Sequence, residues 1–154
     1  KGIRRVLSFL KPGVWEYELE AELLHEFIRN RSKGFAYEPI IASGANANVL
    51  HYTVNNQQCK AGDLILMDVA AEYGNYSADL TRTFPVSGTY TPRQKEVYNA
   101  VLRVKNEATK LLVPGTLWKE LKNSGREFPI RVFRFLVKTE HHLRSHRRTM
   151  HLFQ

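Results

Sequence analysis

The chain of 154 residues and 17.8 kDa has room for one ordinary domain. Its 43% hydrophobic and 25% charged content excludes a disordered or collagen-like chain, and no apolar run approaches the roughly 20 residues that span a bilayer. The formal charge of +8 suggests nucleic acid until it is divided: residues 1–115 hold 14 Lys/Arg against 12 Asp/Glu, and residues 116–154 hold 9 against 3. A nearly neutral body therefore carries a basic tail, rich in histidine at His141, His142, His146 and His151, and the distribution argues against nucleic acid as a partner. The lone Cys59 has no internal disulfide partner, which points to a reducing, cytoplasmic compartment. An opening at Lys1-Gly2 without methionine reads as a cut inside a longer protein.

In chain order, Ile3, Val6, Leu7 and Leu10 fit the end of an amphipathic helix stopped by Lys11-Pro12-Gly13. Leu19, Leu23, Leu24, Phe27 and Ile28 recur at helical spacing from Trp15 to about Arg31, with Glu16, Glu18, Glu20 and Glu22 toward the start, where the helix dipole favours anions. Phe35–Ile41, with an internal proline, reads as an edge strand or extended segment, and Ala42–Asn48 as a small, polar turn that delivers Val49-Leu50-His51-Tyr52. Leu64–Tyr73 reads as a strand buried on both faces, turning at Gly74-Asn75 into Tyr76–Val86. Thr91-Pro92-Arg93-Gln94 carries the signals of a helix start, and Val97, Val101, Val104, Ala108 and Leu111 give the helix one apolar face before Pro114-Gly115. Pro12 and Pro114 lie 102 residues apart in similar surroundings, which suggests one unit followed by the start of a second.

Asp68 is the chemical anomaly. A carboxylate in a buried strand costs several kcal/mol unless something positive meets it. Pairing about Gly74-Asn75 sets Ala70 opposite Asp79, so Asp68 and Asp79 share a face as diagonal neighbours; a turn at Tyr73-Gly74 sets them directly opposite. In either register they fall within roughly 5–8 Å of each other. Two like charges so close call for a raised pKa or a cation, and a carboxylate-bridged metal pair answers both. The alternative is that Asp68 pairs with Arg82 and Asp79 caps a turn.

Three segments, Ile41–Tyr52, Asp63–Asp68 and Ser77–Pro85, resemble the pita-bread metallopeptidases, the superfamily of aminopeptidase P, prolidase and methionine aminopeptidase. Within it the body, Lys1 to Thr116, is most similar to the Xaa-Pro aminopeptidase family. The resemblance implies an α+β pita-bread (creatinase/aminopeptidase) fold, of which residues 1–116 form the first half of a pseudo-symmetric domain, an antiparallel sheet covered by helices. It implies that Asp68 and Asp79 are metal ligands for two divalent ions, manganese foremost, with cobalt or zinc as alternatives. His51 becomes the residue that contacts substrate near the scissile bond and serves catalysis, with Thr81 and Arg82 available to orient the carboxylates. The implied reaction is hydrolysis by a dinuclear metal-bound hydroxide, releasing the N-terminal residue of a peptide with proline second, and the implied assembly is a homodimer.

A complete site of this type takes five ligands, and the remaining histidine and two glutamates are not recognisable between Glu120 and Gln154, so the expectation is an incomplete site, inactive alone. The alternative is a non-catalytic pita-bread module that binds peptides or histones. Residues 117–154 depart from the pattern, as an altered reading frame or a disordered tail would. Within them Phe128–Val137 suggests a strand, and His142 and His146 sit at helical metal-binding spacing.

Overall fold

The computed structural model describes residues 1–120 together with Asn123. The strand expected at Phe128–Val137 and the His142/His146 pair lie outside the described residues. The chain divides into two units, Lys1–Thr91 and Pro92 onward.

The first unit begins with α1 (Gly2–Phe9) and α2 (Glu16–Arg29), matching the helical periodicity. The α2 start is closed by Glu18, whose carboxylate accepts the Trp15 N–H at 2.7 Å, one half of a capping box. Strands β1 (Gly34–Phe35), β2 (Ile40–Ser43), β3 (Leu64–Asp68), β4 (Ala71–Tyr73), β5 (Tyr76–Ser77) and β6 (Thr81–Pro85) follow, with a 3-10 helix at Gly44–Asn48 after β2. They make two antiparallel sheets, β2-β3-β6 and β1-β4-β5.

Both sheets are built on one hairpin. Tyr73 pairs with Tyr76 and Asp68 with Thr81, so the register set at Gly74-Asn75 runs through both arms, as the first of the two expected registers requires. The arms are nonetheless interrupted at Val69-Ala70 and Ala78–Leu80, where one long strand each had been expected. The reason lies in the neighbouring chain. Phe35 pairs with Ala71 and Ile40 with Asp68, so four residues, Ala36 to Pro39, face only Val69 and Ala70. This two-residue excess is a bulge that passes the hairpin from one sheet to the other.

The alternation along β3 sorts its faces. Ile65 and Met67 are buried against Val6, Leu19, Leu23 and Ile41, while Leu64, Leu66 and Asp68 face the other way and are half-buried. The expectation of burial on both faces is thus met fully on one face only. Burying such aliphatic side chains contributes about 1.5–3 kcal/mol each. Phe27 meets Phe35 edge to face at 5.2 Å, and the Arg5–Glu22 ion pair joins the two helices. Ile41, Ala42 and Ser43, the latter two expected in a turn, instead complete β2, because they pair with Met67, Leu66 and Ile65 and are buried.

The second unit begins with α3 (Pro92–Lys110), opening on proline as expected. Its protected stripe is Ala100, Val104 and Ala108, at four-residue spacing, whereas Val97, Val101 and Leu111 are exposed. The two Pro-Gly turns have one geometry: Gly13 sits at φ +95° and Gly115 at +94°. The Val14 N–H donates to Lys11 and the Thr116 N–H to Val113, at 3.3 and 3.1 Å, and the Glu120 carboxylate takes the Leu117 N–H as Glu18 takes that of Trp15. The repeat read from the sequence is therefore a repeat of hydrogen bonding as well.

Candidate active site

Asp68 ends β3 and Asp79 lies in the interruption just before β6. Both meet Tyr37, which stands in the middle of the bulge. The Tyr37 hydroxyl lies 2.6 Å from Asp68 Oδ1 and 3.3 Å from Asp79 Oδ1. The two carboxylates can therefore be no further apart than these two reaches end to end, as the register arithmetic requires. A phenol has one proton, and the shorter contact is where it is donated; the longer leaves Asp79 with acceptor capacity unspent. Burial, first, and then the two carboxylates push the Tyr37 phenol well above its ordinary range, so it remains a donor.

The alternative partner for Asp68 fails on register. Arg82 is opposite Met67, which puts it on the other face from Asp68, and its guanidinium donates to the Thr81 carbonyl at 2.7 Å. Thr81, opposite Asp68, shares its face. Among the described residues neither aspartate forms an ion pair. What results is a pair of hard oxygen donors with one neutral hydrogen-bond donor between them, a set suited to manganese or magnesium more than to soft metals. Among the described residues no group of three His, Cys, Asp or Glu side chains converges as a metal cluster; the two carboxylates stand as a pair.

His51 follows the 3-10 helix, exposed and at φ +54°. That left-handed conformation is uncommon for a residue with a side chain, though histidine tolerates it better than most. Among the described residues it has no hydrogen-bond partner, and no bond joins it to either aspartate.

Two residues escaped the sequence reading. Tyr37 lies within a segment that reads as extended, where Pro39, two residues on and unable to donate to a ladder, is the available sign of a bulge. In the sequence Glu16 is one of four glutamates toward the start of a helix, where the dipole alone accounts for it. It is fully buried, and its carboxylate accepts from the Ser43 N–H at 2.6 Å, the Ser43 hydroxyl at 2.7 Å, the Tyr52 hydroxyl at 2.8 Å and the Gln57 N–H at 2.9 Å. It thereby holds both ends of the segment that carries His51.

The sequence profile of metallopeptidase family M24 matches residues 1–151. The chain is 41% identical over 116 residues to the Xaa-Pro aminopeptidase of Haemophilus influenzae and 43% identical over 112 residues to that of Escherichia coli. These matches cover 75% and 73% of this chain but 27% and 25% of the relatives, so the chain spans about a quarter of their length. Among solved structures, zinc-substituted aminopeptidase P of E. coli in complex with product superposes with a TM-score of 0.81 at 37% identity, covering 85% of this chain and 30% of that one. Proline aminopeptidase P II of Yersinia pestis gives 0.81 at 35% identity, covering 91% and 35%. The expected α+β pita-bread architecture is borne out by these likenesses and by the antiparallel sheets and helices of the first unit.

Proposed function

Because the chain belongs to metallopeptidase family M24, we propose that it supplies the first part of a dinuclear Xaa-Pro aminopeptidase site, with Asp68 and Asp79 as metal ligands and His51 as the residue that meets substrate. One observation carries this reading: two carboxylates on one face share a single hydroxyl at 2.6 and 3.3 Å, and no cation among the described residues neutralises them. The oxygen donors fit divalent ions, manganese foremost. When bound, such ions polarise a peptide carbonyl and activate water.

The chain's own residues do the positioning. Tyr37 orients Asp68 by donating to Oδ1, so that the remaining acceptor capacity of Asp68 and the Asp79 carboxylate would hold the ions. His51, exposed and unengaged by hydrogen bonds, has its ring nitrogens available to a peptide carbonyl or to charge developing on it. The substrate class we assign is a peptide with proline second, on the strength of the relatives' name, Xaa-Pro aminopeptidase. Among the described residues no helix is long and apolar enough to cross a membrane, and the lone buried Cys59 fits a reducing cytoplasm.

The test is manganese-dependent release of the first residue from an Xaa-Pro peptide, together with Mn²⁺ binding followed through the electron paramagnetic resonance signal of the free ion. With two carboxylates and no third ligand among the described residues, this chain is expected to bind Mn²⁺ weakly and to turn over little or no peptide. Binding lost in both Asp68→Asn and Asp79→Asn supports the reading; Mn²⁺ binding indifferent to both substitutions overturns it. Peptide binding that needs no metal and survives both substitutions would favour the non-catalytic module instead.

A further inference from the structure

Burying a carboxylate costs several kcal/mol unless its lone pairs are met, and an apolar residue in its place would pack more cheaply. Glu16 is 0% exposed, with four donors and, among the described residues, no ion pair. One turn along the same helix, Glu20 accepts from Asn55 Nδ2 at 2.9 Å. Asn55, also buried and at φ +47°, donates to the Pro39 carbonyl at 2.9 Å and accepts the Ile41 N–H at 3.0 Å.

The connectivity has a direction. Glu16 grips Ser43, where β2 passes into the loop that carries His51, and Tyr52, the residue after His51. Asn55 grips Pro39 and Ile41, where the bulge carrying Tyr37 passes into β2. Gln57, two residues past Asn55, returns to Glu16. Thus a pair of carboxylates one helical turn apart on α2, acting through the Tyr52–Gln57 segment, holds the chain on both sides of β2. A left-handed conformation at His51 persists only where the surroundings over-determine it, and the adjoining Tyr52–Glu16 bond is such a restraint.

We propose that Glu16 and Asn55 are positioning residues that lock the His51 loop and the Tyr37 bulge to one face of α2, so that the two walls of the site move as a unit. The functional meaning rests on the aminopeptidase reading of His51 and of the carboxylates beside Tyr37; the mechanical linkage does not. Because the network is closed, loosening it at the His51 end slackens the Tyr37 end as well.

Hydrogen exchange of the full chain, measured without metal, tests the linkage. In Glu16→Gln one carboxylate oxygen becomes an NH₂ group facing two donors, and in Tyr52→Phe a single donor is removed with the carboxylate left in place. Both variants are expected to exchange about tenfold faster in residues 44–52 and also in 36–41, to which Tyr52 makes no hydrogen bond, with α1 and β3 within about twofold of the parent. The His51 ring resonance, assigned with His51→Gln, is expected to broaden or double in Tyr52→Phe. Faster exchange confined to 44–57 overturns the coupling, and a uniform rise across α1 and β3 reduces Glu16 to a general stabiliser. Should Glu16→Gln fail to fold, Tyr52→Phe carries the test. Loss of Mn²⁺ sensitivity to Asp68 and Asp79 would sink the aminopeptidase reading while leaving the exchange result standing.

Discussion

The Tyr37 hydroxyl donates to Asp68 Oδ1 across 2.6 Å, a contact made by a residue in a bulge to a residue at the end of a strand 31 positions later. Tyr37→Phe removes the donor without changing the ring. A neutral-to-charged hydrogen bond of this kind is worth about 1.5 kcal/mol, and partners that orient ligating carboxylates are worth about tenfold or more in metal affinity. The expected result is a modest loss of stability in urea unfolding, with Mn²⁺ binding about tenfold weaker by paramagnetic resonance. Unchanged binding would mean that Tyr37 only packs.

The aspartates repel each other in the absence of a cation. At an effective dielectric near 20, two unit charges about 6 Å apart cost up to about 3 kcal/mol, and exposure of Asp79 to solvent reduces this several-fold. Asp79→Asn is therefore expected to raise metal-free stability by about 0.5–1 kcal/mol at low salt, a gain that shrinks as salt rises, while Mn²⁺ binding is lost. Urea unfolding at two ionic strengths checks both signs; a destabilised variant would show that Asp79 is held by attractive contacts instead.

The contrast between the aspartates and the two missed residues shows where a single sequence stops being informative. Asp68 and Asp79 were found because a two-residue turn and a period of two fix which side chains share a face, arithmetic that needs nothing beyond the hairpin itself. The helices were legible for the same reason, since apolar spacing and a Thr-Pro start are local. Tyr37 depends on four residues facing two across a sheet, and Glu16 on donors from positions 43, 52 and 57; neither count is local. The apolar face expected of α3 holds at Val104 and Ala108 but not at Val97, Val101 and Leu111, because periodicity names an apolar stripe without fixing its centre, which here includes Ala100.

Gly44 opens the 3-10 helix at φ +55°, and a methyl group there would stand 2.8 Å from the Asp63 carboxylate. The left-handed conformation costs a residue with a side chain about 1 kcal/mol, and the contact forces Asp63 to move as well. Gly44→Ala is expected to lose about 2 kcal/mol by chemical denaturation. Since the strain falls at the root of the His51 loop, proteolysis of the native state is expected to shift toward residues 44–52. A variant as stable as the parent would show that the loop reshapes freely.

Cys59 supplies a pH-dependent signal from the buried core. Burial, chiefly, pushes its thiol up to about 11 from an ordinary 9.0; the Glu16, Asp63 and Glu18 carboxylates add to the rise and a hydrogen bond with Ser43 opposes it. Only the thiolate attacks an alkylating reagent, so at pH 8 the reactive fraction is about one in a thousand, and the rate in the native state is expected to climb about tenfold per pH unit from 8 to 10 without levelling. The linked effect on stability follows from proton counting. Between the unfolded and folded values the unfolded chain has released the proton and the native chain has kept it, so stability falls as pH rises from about 9 toward 11, and Cys59→Ala flattens that part of the profile. Iodoacetamide kinetics on the native chain, with urea unfolding at pH 8 and pH 10 for both proteins, measure the two slopes. A native rate that levels off near pH 9 would place the thiol in water, contrary to its burial against Val14 and Ile65 in the core.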